Sequence, residues 1–396
     1  MGKIHIRPET PPSTTRVAGI DLLRGLAIFF VLMNHLNMRL VLAKVPYTAG
    51  LPEQLVSTLV WKGQYAVQMF FALSGFLITA MSLRRWGSLE KVQVREFYLL
   101  RCARIAPLLL LLLLVLCGLH LAQVRNFVVP DSRGGLGRAL LAALTFRVNV
   151  LEAQRGYLPA NWDILWSLSV EELFYLGFPL LCRLLGGGRV LRLVLLGFAI
   201  AGPFARTALA HGNEVWAEYS YLGGMDAIAL GCMAALLCHG RSWSARSLQL
   251  LGLAGGALLV FSYCFSLFAN SLGLGRTGLN LTVLAVATCM VAIATSVGGW
   301  RAPRWLAPLL LVGRRSYEIY LTHMFVVFAC FGLFRYGGST LDSVPLLFVA
   351  GILCAAVLGD FVARLYSEPM NALLRRRWRR PGAERLVAEP GLEAGT

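Results

Sequence analysis

Residues 17–40 read VAGIDLLRGLAIFFVLMNHLNMRL. A helix that crosses a bilayer takes roughly 20 mainly apolar residues, and this run supplies them. It is too long for the apolar core of a signal peptide, has no clear small-residue cleavage site behind it, and contains charges. It is therefore expected to remain in the protein as a first membrane span. An ionisable side chain in hydrocarbon is costly and points to a function or a partner. Arg24 and His35 are eleven residues apart, three turns plus about 20° at 100° per residue, so both lie on one helix face about 16 Å apart along the axis. Asp21, three residues before Arg24, is within pairing reach. Two readings stand side by side. Asp21 and Arg24 fit a neutralised pair, with His35 a hydrogen-bonded core residue. Alternatively, the imidazole takes a proton from a hydroxyl and the arginine holds phosphates.

Outward from this block, similar apolar stretches recur near 64–83, 105–124, 164–184, 189–210, 221–239, 247–268, 277–297, 309–334 and 344–366. The fold class is all-α: a polytopic integral membrane protein of about ten transmembrane helices. The apolar segment 136–150, short and carrying Arg138 and Arg147, reads as interfacial or re-entrant. Composition agrees. The 396 residues are 57% hydrophobic and 14% charged, with mean hydropathy +0.66, whereas soluble domains carry about 25% charge.

The net charge of +17 orients the chain rather than marking nucleic acid, since no recognition module or zinc-finger spacing occurs. With the N-terminus inside, the cytoplasmic segments hold Lys3, Arg7 and Arg16, then Arg84, Arg85, Lys91, Arg95, Arg101 and Arg104, and further arginines up to the tail. Short outer loops are poorer, with Arg276 in one and Arg335 in another; the long outer loop 125–163 holds Arg125, Arg133, Arg138, Arg147 and Arg155, but long loops weigh little in this count. Both termini are thus expected in the cytoplasm, with membrane lipid as a partner. Three regions follow: a disordered N-terminus over 1–16, a transmembrane domain over 17–369, and a basic tail over 370–396, with no appended soluble enzyme. The nine cysteines lack any CxxC and read as buried reduced thiols. No metal-ligand spacing is present.

Three further polar stretches lie at or inside apolar blocks. Asn161-Trp-Asp-Ile-Leu-Trp166-Ser-Leu-Ser169-Val-Glu171-Glu172-Leu-Phe-Tyr175 puts two adjacent carboxylates into a span, of which one can face the bundle interior and the other the interface. Helix-start acids favoured by the dipole are the plainer reading. Arg315-Ser316-Tyr317-Glu318-Ile-Tyr320-Leu-Thr-His323 puts Ser316, Tyr320 and His323 along one stripe, suited to chemistry or to interhelical hydrogen bonds. Phe97-Tyr98-Leu-Leu-Arg101-Cys-Ala-Arg104-Ile-Ala-Pro107 closes the second loop with a cationic edge, suited to phosphate or simply to the positive-inside rule. Phe70-Phe71-Ala-Leu73-Ser74-Gly75-Phe76 lacks the G-x-S-x-G pattern, and Ser74 reads as a packing residue beside a close-approach glycine.

Taken in order with Tyr366-Ser367-Glu368-Pro369, these motifs resemble the acyltransferase-3 family of polytopic membrane O-acyltransferases. The resemblance runs from residue 19 to residue 369. It implies ten spans and transfer of an acyl group, commonly acetyl from acetyl-CoA, to a hydroxyl of an extracytoplasmic sugar. Acyl-CoA is then a co-substrate, with no bound cofactor, and the acceptor is a glycan or lipid-linked sugar. The family's arginine–histidine pair corresponds to Arg24 and His35, and its loop arginines to Arg101 and Arg104. Many relatives carry extra arginines where Leu99 and Leu100 stand here.

On this reading Arg24, Arg101 and Arg104 hold the donor, and His35 is the base. Glu172 and His323 are candidates to orient the imidazole or position the acceptor. Trp166, Ser169, Tyr175, Ser316 and Tyr320 are candidate substrate contacts. The setting is the bacterial cytoplasmic membrane. Acceptors that fit are polysaccharide, lipopolysaccharide, peptidoglycan, a glycolipid or a macrolide-type product. The rival readings are a proton-coupled transporter, against which no inverted repeat or pair of broken helices is apparent, and a non-catalytic scaffold.

Overall fold

A computed structural model describes residues 17–378, and all regular structure among them is helical. The long helices are α1 Ala18–Leu42, α2 Gly63–Trp86, α3 Val94–Leu121, α4 Leu165–Leu185, α5 Arg189–Arg206, α6 Tyr221–Cys238, α7 Ala245–Cys264, α8 Leu279–Val297, α9 Ser316–Tyr336 and α10 Val344–Val362. Nine helical segments among the described residues are long and apolar enough to cross a membrane. The expected fifth span, α5, is not among them: its eighteen residues carry Arg189, Arg192 and Arg206. The outward surface is apolar, with Leu114, Leu184, Leu253 and Val357 each at least 70% exposed, as lipid contact requires.

α1 is the hub. It packs against α2, α8, α9, α10 and the short helix Ala307–Arg314. Without a hydrophobic force between helices in lipid, close approach depends on small residues. A side chain added at Gly313 would come within 1.8 Å of the Asp21 carbonyl oxygen, and one at Gly25 within 2.3 Å of that of Leu309. α2 and α6 interlock in the same way: Gly75 lies against the Ile228 carbonyl and Gly231 against that of Ala72. The close-approach role read for Gly75 is thereby met. α1 is thus held from several sides, and its polar face is fixed.

Three boundaries differ from the sequence reading. α3 begins at Val94, so Phe97–Arg104 is helical rather than loop; its amphipathic first turns escape a search for apolar runs. The ninth expected span is two helices, Ala307–Arg314 and α9, broken at Arg315. The Arg315 side chain crosses to Asp360 at 2.9 Å and to Glu368. α10 continues through a π-turn over Ala363–Ser367 into a helix Glu368–Trp378, so a boundary at 369 falls within continuous helix. The segment 136–150 forms parts of two short helices, Gly135–Leu144 and Val148–Arg155. The expectations for residues 1–16 and for the tail beyond 378 lie outside the described residues.

Candidate active site

The polar face of α1 lines a file of side chains with two chemically distinct ends. At the first end are Arg24 and the two arginines of α3. Asp21 does not pair with Arg24. Its carboxylate accepts from Arg314 Nε at 3.1 Å, because the Gly313 contact brings the short helix against the first turn of α1. Arg24 is left with no hydrogen bond or ion pair among the described residues, and the charges that act on it belong to Arg104, Glu171 and Asp21. Arg101 lies over the Tyr175 ring at 3.6 Å and 3.9 Å from Glu171, and its Nε is buried without a partner. Arg104 pairs with the buried Glu318 at 3.0 Å and lies over Tyr317 at 5.1 Å. The Tyr317 hydroxyl donates to the Ile105 carbonyl at 2.8 Å, which ties α9 to α3.

Glu171 and Glu172 divide the work that the sequence left open. Glu171 accepts from the Ser74 and Tyr175 hydroxyls, which are themselves 2.7 Å apart. Ser74 is therefore a hydrogen-bonding member of this end and not only a packing residue. Glu172 is nearly buried, and its Oε1 has no partner. Its charge acts on Arg101 and Tyr317, so it belongs to the arginine end and makes no hydrogen bond to His35. Tyr175 belongs there too, under the Arg101 guanidinium. Three guanidinium groups gathered at one end, Arg24 among them in no ion pair, suit an anion with several phosphates.

Three turns along α1 stands His35. Its ring centroid is 4.9 Å from that of His323 on α9, the one contact that brings the two sequence-picked histidines together. His323 is fully buried. Its Nδ1 lies 2.6 Å from the Tyr320 carbonyl oxygen. A carbonyl only accepts, so Nδ1 carries the hydrogen and Nε2 keeps the lone pair. That Nε2 has no partner. Tyr320 is held by its hydroxyl, 2.7 Å from Ser167 Oγ. His35 is partly accessible and makes no hydrogen bond. A ring with an uncommitted nitrogen beside a second ring of fixed tautomer can move a proton.

The remaining sequence candidates take other positions. Trp166 stacks on Tyr219, centroids 4.0 Å apart and planes 6° apart. Ser169 donates to the Leu165 carbonyl at 3.0 Å and accepts from the Val148 amide at 3.2 Å, so its hydroxyl is committed to docking the short helix Val148–Arg155. Ser316 is buried, with an unpartnered hydroxyl, at the start of α9 beside the arginine end. Sequence reasoning did not single out Glu171, Glu318 or Arg39. Each has a spacing signal: Glu171 is four residues before Tyr175, Glu318 follows Tyr317 in the quoted stripe, and Arg39 is four residues after His35.

Arginines thus gather at one end of a histidine-bearing file within a many-helix membrane bundle. The family described as an acyltransferase domain, acyltransferase-3, matches residues 17–362, and the chain belongs to it. Among curated relatives, O-acetyltransferase OatA of Staphylococcus aureus (strain NCTC 8325 / PS 47) is 23% identical over 391 residues, covering 92% of this chain and 59% of the relative. Peptidoglycan O-acetyltransferase OatA of Listeria monocytogenes is 24% identical over 345 residues, covering 80% and 50%. Acyltransferase MdmB of Streptomyces mycarofaciens is 28% identical over 399 residues, covering 93% and 95%. The chain thus spans between half and three fifths of the length of the OatA relatives and nearly all of MdmB. No solved structure matches it.

Proposed function

We propose that this chain is a membrane O-acyltransferase that moves an acyl group, acetyl from acetyl-CoA in the simplest case, to a hydroxyl of a sugar-bearing acceptor at the cell surface or on its way there. The observation that carries the reading is the His35–His323 ring pair at 4.9 Å, set along one helix face from an unpaired Arg24. Membership of the family and the names of the OatA relatives support acetyl as the group and a glycan as the acceptor.

In this reading Arg24, Arg101 and Arg104 hold the donor's phosphates, with the arginine end and both termini facing the cytoplasm of a bacterial cell. The thioester extends along α1 toward His35. His323, its tautomer fixed by Tyr320, presents its free Nε2 lone pair beside the His35 ring, and a nitrogen of His35 serves as the base. His35 removes the acceptor proton, the oxygen attacks the thioester carbonyl, the C–S bond breaks, and the proton passes to the departing thiolate. Glu171 and Glu172 balance the arginines rather than touch the reacting atoms.

The test is transfer of label from acetyl-CoA to envelope glycan in membranes, with wild type and His35→Ala at matched protein levels. Label that depends on His35 supports the reading. Equal label in both removes His35 from the chemistry. No label in wild type, together with coupled sugar uptake, favours the transporter reading instead.

A further inference from the structure

The end of the file opposite the arginines holds a second polar group that the reaction above leaves unused. Arg39 is one turn beyond His35 on α1, about 6 Å along the axis and on the same face. It lies 4.9 Å over the Phe328 ring, and its Nε is buried with no partner. The charges of Arg39 and Asp163 act on each other, yet the two form no ion pair. Opposite charges in a buried setting close on each other unless something holds them apart. Here both are held. The segment bearing Asp163 is strapped to α9 beside His323: Asn161 Nδ2 donates to the Leu321 carbonyl at 3.0 Å, and the Tyr320 hydroxyl donates to that of Ile164 at 3.3 Å. Asp163 also accepts from the Tyr219 hydroxyl at 3.3 Å.

Behind Asp163 sits Glu152, fully buried, with Oε1 accepting from the Leu158 amide at 2.9 Å and Oε2 facing no donor. Its carboxyl and that of Asp163 act on each other electrostatically. Burial first, and the Asp163 charge second, push the Glu152 carboxyl well above the usual carboxylate range. Around this group stand the Trp166–Tyr219 stack and, edge-on to Tyr219 at 5.7 Å, the half-exposed Tyr157. A held-open guanidinium and carboxylate, one donating and one accepting, with aromatic rings alongside, match adjacent hydroxyls on a sugar ring. Since Asp163 offsets the charge of Arg39, nothing there favours an acid.

We propose that Arg39 and Asp163, backed by Glu152 as a positioning residue, grip the acceptor as an uncharged sugar through two of its hydroxyls and present a neighbouring hydroxyl to His35 one turn away. This inference rests on the acyl-transfer reading and adds the acceptor's subsite to it.

The test uses the full chain in lipid nanodiscs, labelled acetyl-CoA and the sugar-containing fraction of the host envelope as acceptor. Asp163→Asn and Arg39→Gln are each expected to raise the acceptor KM about tenfold or more while the acetyl-CoA KM stays unchanged. Arg39→Gln has no ion pair to lose, and binding of CoA itself reports whether either variant is folded. An unchanged acceptor KM in a variant that still binds CoA overturns the subsite and leaves acyl transfer standing. Equal weakening of donor and acceptor also overturns it, because the residues would then be structural. A wild type that binds CoA but transfers no label overturns the acyl-transfer reading, and the subsite with it.

Discussion

Arg24→Ala separates donor binding from folding, because Arg24 and Arg104 have opposite bookkeeping in the free protein. Arg24 touches no carboxylate, so removing it breaks no ion pair and empties no hydrogen bond. What it loses is one charge-assisted contact to a phosphate, worth about 1.5–3 kcal/mol, or roughly 10–150-fold in donor KM. The fold should be unaffected, and kcat close to wild type if the phosphates are held equally before and during transfer. Arg104→Ala is different. It strands Glu318, whose side chain is 1% exposed and whose Oε2 already lacks a partner. Leaving a buried charge unpaired costs about 3–5 kcal/mol, so this variant should unfold at visibly lower temperature. Purified variants in nanodiscs, assayed for acetyl-CoA KM by label transfer and for thermal midpoint by tryptophan fluorescence, give both quantities. An Arg24→Ala protein with wild-type donor KM would refute the assignment of the arginine end to the donor. One destabilised like Arg104→Ala would refute the claim that Arg24 is unpaired.

Three further outcomes follow from packing and charge. Asp226→Asn should destabilise by about 3–5 kcal/mol, since it leaves the buried Arg206 guanidinium without the carboxylate that meets it at 2.8 and 3.0 Å; thermal unfolding checks this. Gly231→Val should lower expression and thermal midpoint, because the new Cβ would stand 2.0 Å from the Ala72 carbonyl oxygen at the α2–α6 crossing. Lys62 is 3% exposed, and burial lowers its amine from 10.5 to about 8. A base held lower in the folded state withdraws stability as pH falls from about 10.5 to 8, so Lys62→Met should gain about 1–3 kcal/mol at neutral pH and nothing above pH 11. Thermal midpoints of both proteins across that range should converge at the alkaline end.

The all-α class and the order of the long helices were legible because a membrane span is read from length and apolarity alone. The one-face relation of Arg24 and His35 was legible for a similar reason, since it needs only the helical repeat. What the sequence could not give were contacts across helices. Asp21 sits three residues from Arg24, yet Gly313 brings Arg314 closer to its carboxylate. The break at Arg315 depends on Asp360 and Glu368, about 50 residues further on, and an apolar search runs straight through it. Of the adjacent acids, Glu172 drew attention and Glu171 makes the hydrogen bonds, a 100° choice that only the positions of Ser74 and Arg101 decide. Ser169 has a motif's appearance and a structural engagement with Val148. Arg39 was hidden because an arginine near a span end looks like an ordinary interfacial residue.

The central claim is that His35 does chemistry on a donor held elsewhere. The measurement that tests it most directly is a paired one on purified His35→Ala: the equilibrium affinity for acetyl-CoA and the rate of label transfer to glycan. His35→Ala should keep donor affinity within about twofold of wild type, with transfer lower by at least about a hundredfold. Transfer near the wild-type rate, or a loss of donor binding that accounts for the whole defect, would contradict it.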